Sequence, residues 1–514
     1  MKLFRQILLI LIPATSNWIS GCKSPDKNTV RPNVLLAISD DQSWEHASAY
    51  GCDAIETPAF DRIAREGILF SNAFSAAPGC SPSRAAMLTG RYIWQLEEAG
   101  SHACSFPVKY TLFTDLLEEA GYHVGYTGKG WGPGRWDISG RKRNPAGDVY
   151  SEATLDPPEF IRNTDYTENF LLFLKDRETK QPFCFWYGAS EPHRRYSIGI
   201  GSKNGMDPGK VKVPSFLPDT LETQQDMLDY MYEIQWFDEH LGKMIETLED
   251  SGHLDNTVII VTSDNGMPYP RAKANCYEYG IHMPLAIRWG DKVHGGRTVH
   301  DLVSLIDLAP TILEVTGTSF SGDYPIEGKS LVNIFNSEMG GWIDESRRAV
   351  FSGRERHSSS RWNNHSYPIR AMRAREYLYI RNFKPERLPA GTPTRLKPEK
   401  ISWEGDAGGY HDIDDYGLSF IYMHKDEPEI DFYHQLATAR RSSEELYDIV
   451  NDPGCIKNLA DHSEFREVLL DLRTKFESYL VETGDPRMTG DGDVYETYPR
   501  YSPIRDFSVP EWAN

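Results

Sequence analysis

A chain of 514 residues is longer than one hydrophobic core ordinarily supports, so a large domain with a smaller one packed against it is expected. Its 39% hydrophobic and 12% aromatic content is that of an ordinary globular protein and excludes a fibrous or disordered chain. The formal net charge of −20 repels polyanions at long range and excludes sequence-independent nucleic-acid binding. An anionic substrate would need a metal and a few cationic side chains to reverse the field inside one pocket.

Residues 1–22 read as a targeting segment. Lys2 and Arg5 precede the apolar run Ile7 to Ile12, which is too short to span a bilayer. Ile19-Ser20-Gly21-Cys22 then resembles a bacterial lipobox, in which Cys22 would be acylated and anchor the chain to a membrane; secretion with cleavage near Gly21 is the alternative. Both imply export to the bacterial cell envelope, periplasmic or lipid-anchored. The seven cysteines form no CxxC pair and no zinc pattern. Setting Cys22 and Cys80 aside leaves an odd number, so disulfides are not expected to dominate the fold.

The apolar run Asn33 to Ile38 predicts a strand buried on both faces, whose end delivers Asp40 and Asp41. A helix follows, with Thr57 as its cap, Pro58 at the first position and Gly67 as its stop. Further along, a helix at 111–120 leads into a strand from His123 to Tyr126, and another strand, Phe183 to Tyr187, ends near His193. The longest helix, Leu221 to Glu249, carries Met227, Met231, Ile234, Phe237, Leu241, Ile245 and Leu248 at helical spacing and feeds the strand Val258 to Thr262. This alternation predicts an α/β domain at 30–345, with a largely parallel sheet covered on both faces. From 346 to 514 the texture changes to short strands, Glu376 to Asn382 among them, and a late amphipathic helix, which predicts a smaller α+β domain. The stretch Arg387 to Gly409 reads as an ordered loop or lid.

Four polar clusters stand at ends of predicted strands, where open α/β sheets build their sites. Asp40-Asp41 are adjacent carboxylates that repel each other without a cation nearby, and they suit calcium or magnesium; alone they would read as a solvated loop pair. Cys80 stands beside an Arg at a helix start, in Cys80-Ser81-Pro82-Ser83-Arg84; a buried structural cysteine is the competing reading. Ser263-Asp264-Asn265-Gly266 offers two more hard oxygen donors, with Gly266 permitting the turn that aims them back at the sheet. The cationic set is Lys129, His193 and Lys273, each of which alone would read as solvated surface.

The string at residues 80–84, with the trailing Leu88-Thr89-Gly90-Arg91, resembles the C-x-P-S-R signature by which type I sulfatases are recognised for oxidation of the cysteine to formylglycine. The resemblance extends from Asn33 to Glu445-Leu446-Tyr447-Asp448, Asp452-Pro453 and Asn458-Leu459. Within that family the chain looks most similar to heparan N-sulfatases (sulfamidases) and bacterial relatives, through Ser263 to Pro270 with Lys273 and Asn275, and through Ser366-Tyr367-Pro368-x-Arg370. It implies an alkaline-phosphatase-like fold, a sulfated saccharide as substrate, and one calcium ion held by Asp40, Asp41, Asp264, Asn265 and the modified Cys80. It also implies a maturation partner, either a formylglycine-generating or an anaerobic sulfatase-maturating enzyme. In that scheme Arg84 stabilises the hydrated aldehyde as an alkoxide, Lys129 and Lys273 hold the sulfuryl oxygens, and His193 or Lys273 protonates the leaving group.

Two departures stand out. Relatives often carry a histidine two residues after the lysine of the Gly-Lys motif, whereas this chain reads Lys129-Gly130-Trp131. Lys273 also stands where the sulfamidase has arginine. The usual histidine beside the formylglycine hydrate is thereby left to another group or a water. Glu191, His357 and Arg370 are the candidate saccharide contacts, followed by Arg354 and Arg381, with a domain-interface salt bridge as the competing reading. Two other functions compete with a sulfatase. A phosphonate or phosphodiester hydrolase would use the same aldehyde, and a catalytically inactive glycan-binding lipoprotein would keep Cys80 as a thiol.

Overall fold

The structure, a computed structural model, describes residues 30–393, 410–414, 421 and 424–513. The targeting segment with Cys22, and the expected loop or lid from residue 394 to 409, lie outside the described residues. Among those described, no helix is long and apolar enough to cross a membrane.

Among the described residues, nine strands form the main sheet: β1 (Asn33–Ser39), β2 (Ile68–Phe74), β3 (His123–Gly128), β4 (Asp148–Val149), β5 (Phe183–Gly188), β6 (Thr257–Ser263), β7 (His282–Arg288), β8 (Arg297–Val299) and β9 (Val303–Ser304). Their order is β4-β3-β5-β1-β6-β7-β2-β8, with β9 pairing β2. All pairs run parallel except those made by β7, which is antiparallel to β6 and β2. This is the mixed, mostly parallel α/β sheet expected. Because β7 reverses twice, β2 still points the same way as β1, β3, β5 and β6, and the C-terminal ends of all five meet along one edge.

Side chains alternate across this sheet with period two. Val34, Leu36 and Ile38 of β1 and Val258 and Ile260 of β6 enter one core. Leu35, Ala37, Ile259 and Val261 enter the other, against α1 (Pro58–Glu66) and the long helix Leu221–Asp250. Thr57 does not cap α1. Its hydroxyl bonds Asp61 and Ser48, while Asp238 of the long helix accepts the amides of Ala59 (2.9 Å) and Phe60 (2.8 Å). One buried carboxylate thus satisfies two free amide donors of α1 and ties the two helices together.

The second sheet is antiparallel, in the order β10 (Ala349–Arg354), β11 (Ile369–Ala374), β12 (Tyr377–Asn382) and β13 (Glu444–Asp448). The late helix is Arg466–Glu482, and it packs Phe476 on Tyr379 with ring centroids 5.0 Å apart. Its Tyr479 stacks on Phe351 at 3.9 Å, and Tyr92 of the large domain meets both edge-on. These rings belong to the same apolar cluster as one face of the main sheet, so the smaller domain is fused to the larger through a shared core.

Arg370 corrects an expectation. It is fully buried, donating to Asp485 (2.7 Å) and Glu355 (2.8 Å), and its guanidinium lies over Trp94 of the large domain. Two carboxylates occupy it, so it is a structural ion pair rather than a saccharide contact. Arg381 likewise pairs with Glu444 and Glu477. Arg370→Leu should lower unfolding free energy by about 3–5 kcal/mol in urea titration, because buried Asp485 loses its ion pair and Glu355 is left with Arg487. KM of the protein that remains folded should not move; a raised KM at unchanged stability would restore Arg370 to the substrate.

Candidate active site

β1 and β6 are parallel neighbours in register, with Ser39 opposite Ser263. The residues that follow them must therefore come together, and the Asp264 amide donates to the Ser39 carbonyl at 3.2 Å. Carboxylate oxygens of Asp40, Asp41 and Asp264 lie within 4.8 Å of one another, and all three residues are buried. Asp41 holds this position with φ of 75°, a left-handed backbone uncommon outside glycine and stabilised here by its contacts. The Asn265 side-chain amide donates to Asp41 Oδ1 at 2.7 Å. Gly266 serves for space rather than for a turn, since a Cβ there would meet the Tyr279 carbonyl at 1.8 Å.

The third approach comes from β2. Its end runs through residues 75–79 into α2 (Cys80–Thr89), pinned by Ser75 N–H to the Ile281 carbonyl (2.8 Å) and Ala274 N–H to the Pro78 carbonyl (2.8 Å). Cys80 opens the helix at 2% exposure. Burial pushes its thiol up to about 11, so the unmodified side chain stays protonated near neutral pH and is a poor nucleophile. Arg84, one turn later, donates to Asp264 Oδ2 (2.6 Å) and to the carbonyls of Lys129 (2.7 Å) and Gly130 (3.1 Å). It therefore clamps the loops after β6 and β3 together.

Lys129, after β3, is ion-paired with Asp40. Lys273 pairs with Asp41 at 2.6 Å and, from outside the expected set, with Asp414 at 2.7 Å. His193 Nε2 lies 3.9 Å from Asp41 Oδ2, and its Nδ1 is 2.7 Å from the Arg194 carbonyl. Burial alone would raise the Asp40 carboxyl; Lys129, His193, Arg84 and Lys273 together hold it well below the usual range. Burial raises Asp264 despite Arg84, because Asp40 and Asp41 crowd it with like charge.

Two oxygens in this cluster are buried without a hydrogen-bond partner: Asp40 Oδ1 and Asn265 Oδ1. Unpaired buried acceptors are costly. Here they belong to a carboxylate and an amide that are hard donors, beside two more carboxylates, which is the donor set of calcium or magnesium. The residues present fit such an ion.

A cavity of about 660 Å³ adjoins the cluster, with Asp40, Lys129 and His193 in its wall beside Phe160, Arg162 and Arg195. Glu191 lines it too, but its carboxylate already accepts the Arg162 amide (3.0 Å) and the Tyr166 hydroxyl (2.7 Å), and its carbonyl accepts the Asp40 amide (2.9 Å). Glu191 thus holds the β1 loop rather than a saccharide. His357 does reach the site, since a Cβ on Gly79 would stand 3.2 Å from its ring. Arg354 is turned inward to Asp412, which also lies 3.7 Å from His357 Nδ1.

Sequence reasoning missed two groups. His102 brings Nε2 to 3.4 Å from Cys80 Sγ, and Asp414 reaches Lys273 from the smaller domain. Neither follows a strand of the main sheet, so the strand-end rule passes over both. Trp131, which occupies the usual histidine position, is buried against Phe106 and donates to the Ser81 carbonyl (2.9 Å). Among the described residues the cysteines are free.

The sequence matches the sulfatase family over residues 32–318 and the C-terminal domain of N-sulphoglucosamine sulphohydrolase over 272–384. It is 28% identical to human N-sulphoglucosamine sulphohydrolase over 516 residues, covering 90% of this chain and 93% of that protein. An ulvan-active sulfatase of Formosa agariphila is 25% identical over 500 residues, covering 91% of this chain and 78% of the other. A solved structure of a protein bound to its substrate D-glucosamine-2-N,6-O-disulfate has the same fold, with a TM-score of 0.61, 21% identity, and coverage of 89% and 99%. With the family matched across more than half its length, and the signature cysteine standing between three converging carboxylates and three cations, the chain belongs to the sulfatase family.

Proposed function

We propose that this sulfatase removes sulfate from a sulfated saccharide, using Cys80 as formylglycine and one calcium ion held by Asp40, Asp41, Asp264 and Asn265. The observation that carries the proposal is the charge balance of the cluster. Among the described residues, Asp40, Asp41, Asp264 and Asp414 are ion-paired with three permanent cations, Arg84, Lys129 and Lys273, so the cluster itself keeps one net negative charge where a sulfate ester must approach. A divalent ion reverses that sign locally, inside a protein whose overall charge repels anions. When bound, calcium and the aldehyde hydrate supply an activated oxygen nucleophile.

The chain's own residues do the rest. Lys129 and Lys273 neutralise the sulfuryl oxygens as charge builds on them, and Arg84 keeps the loops carrying Lys129 and Asp264 from separating. His193 donates Nδ1–H to the Arg194 carbonyl and turns Nε2 toward Asp41, 3.9 Å away, so the doubly protonated ring carries on Nε2 the proton it gives the leaving oxygen or nitrogen. The likeness to human N-sulphoglucosamine sulphohydrolase over nearly the whole chain supports glucosamine sulfates, N- or O-linked, as the first substrates to test. A maturation enzyme of one of the two expected classes, export to the envelope and acylation of Cys22 are part of this proposal.

Three outcomes test it. Cys80→Ala should abolish turnover while leaving the melting temperature unchanged, and mass spectrometry of tryptic peptide 66–84 should find an aldehyde in place of the thiol. Calcium at about one hundred times its Kd should stabilise the protein by about 2.7 kcal/mol, and Asp264→Ala should erase that gain. Screening N-, 2-O-, 3-O- and 6-O-sulfated glucosides should find one that is cleaved; turnover of aryl phosphodiesters alone would favour phosphoester chemistry instead.

A further inference from the structure

The imidazole of His102 is within contact of the reacting side chain, Nε2 standing 3.4 Å from Cys80 Sγ. Its placement is built, not incidental. The His102 amide donates to the Arg356 carbonyl (3.1 Å), the Ala103 amide to the Ser81 hydroxyl (3.4 Å), and the Arg135 amide to the Cys104 carbonyl (2.9 Å). The Tyr501 amide donates to the Ala103 carbonyl at 2.7 Å. The loop is thus fixed to α2 on one side and to the smaller domain on the other. His357 packs against the ring, with centroids 4.7 Å apart, and Asp412 lies 3.7 Å behind His357. Among the described residues His102 Nδ1 has no hydrogen-bond partner, so the ring's polar contact is the one to residue 80.

We propose that His102 is the base that frees sulfate at the end of each catalytic cycle, in the role left open by Trp131; this rests on the sulfatase reading above. In that step Nε2 takes the proton of the second hydroxyl on the side-chain carbon of residue 80. The electrons of that O–H bond stay on oxygen and close the carbonyl bond. The bond from the same carbon to the sulfate-bearing oxygen breaks, and its electrons leave with sulfate. His102 then passes the proton to water, and addition of one water restores the hydrate. The histidine comes from a different loop than the Gly-Lys motif, yet reaches the same atom.

The test uses the matured full chain with His102→Gln and His102→Ala, each checked for melting temperature and for aldehyde at residue 80. Rapid-quench assays with 4-nitrophenyl sulfate should show the first turnover kept and later turnovers slowed on the order of 10²–10⁴-fold. Peptide 66–84 from the quenched variants should retain one sulfuryl group, as wild type does not. Steady-state rates equal to wild type with no sulfuryl retained would overturn the proposal, as would equal loss of first and later turnovers with aldehyde intact. A wild-type protein that carries the aldehyde and cleaves neither this ester nor any saccharide of the screen would overturn the sulfatase reading itself.

Discussion

The register between β1 and β6 is the constraint on which the site depends. Seven consecutive Cα pairings, ending with Ser39 opposite Ser263, oblige the next residues of both strands to leave the sheet together. Those residues are Asp40, Asp41 and Asp264, so the backbone ladder forces like charges into one buried volume. A one-residue slip would turn Leu36 and Ile38 to the wrong core and separate the acids at once. The apolar packing of the sheet and the placement of the acids are therefore the same fact.

Crowded carboxylates must be compensated, and the compensation explains the rest of the local architecture. Arg84 comes from α2, Lys129 from the end of β3 and Lys273 from the loop between β6 and β7, so the chain beyond β2, β3 and β6 supplies the neutralising cations. Arg84 and Asp264 are both fully buried, a pairing that would be expensive to break and that joins the helix bearing Cys80 to the acid cluster. The smaller domain adds Asp414, His357 and Asp412, while the Arg370 guanidinium over Trp94 and the aromatic contacts of Tyr92 hold that domain in place. Both domains thus contribute residues to one site.

Much of this was legible in the residues alone. A continuous apolar run at β1 announced a doubly buried strand, the alternation of strands and helices announced a largely parallel sheet, and polar residues at strand ends announced the site. The Cys80 signature singled out the residue proposed as nucleophile. What stayed illegible depends on contacts between segments distant in sequence. Thr57 looked like the cap of α1, but Asp238, some 180 residues away, takes its amides. Arg370 looked like a ligand contact because arginine reads the same in a pocket and in a buried ion pair. His102 lies in an irregular segment with no periodicity to mark it, and only the folded chain brings it to residue 80.

Diffraction from the matured protein grown with calcium, using anomalous scattering to locate the ion, tests the central claim most directly. One peak should stand on the order of 2.3–2.6 Å from oxygens of Asp40, Asp41, Asp264 and Asn265. Strong ordered density for a cation elsewhere, with Lys129 still against Asp40 and Lys273 still against Asp41, would contradict the account.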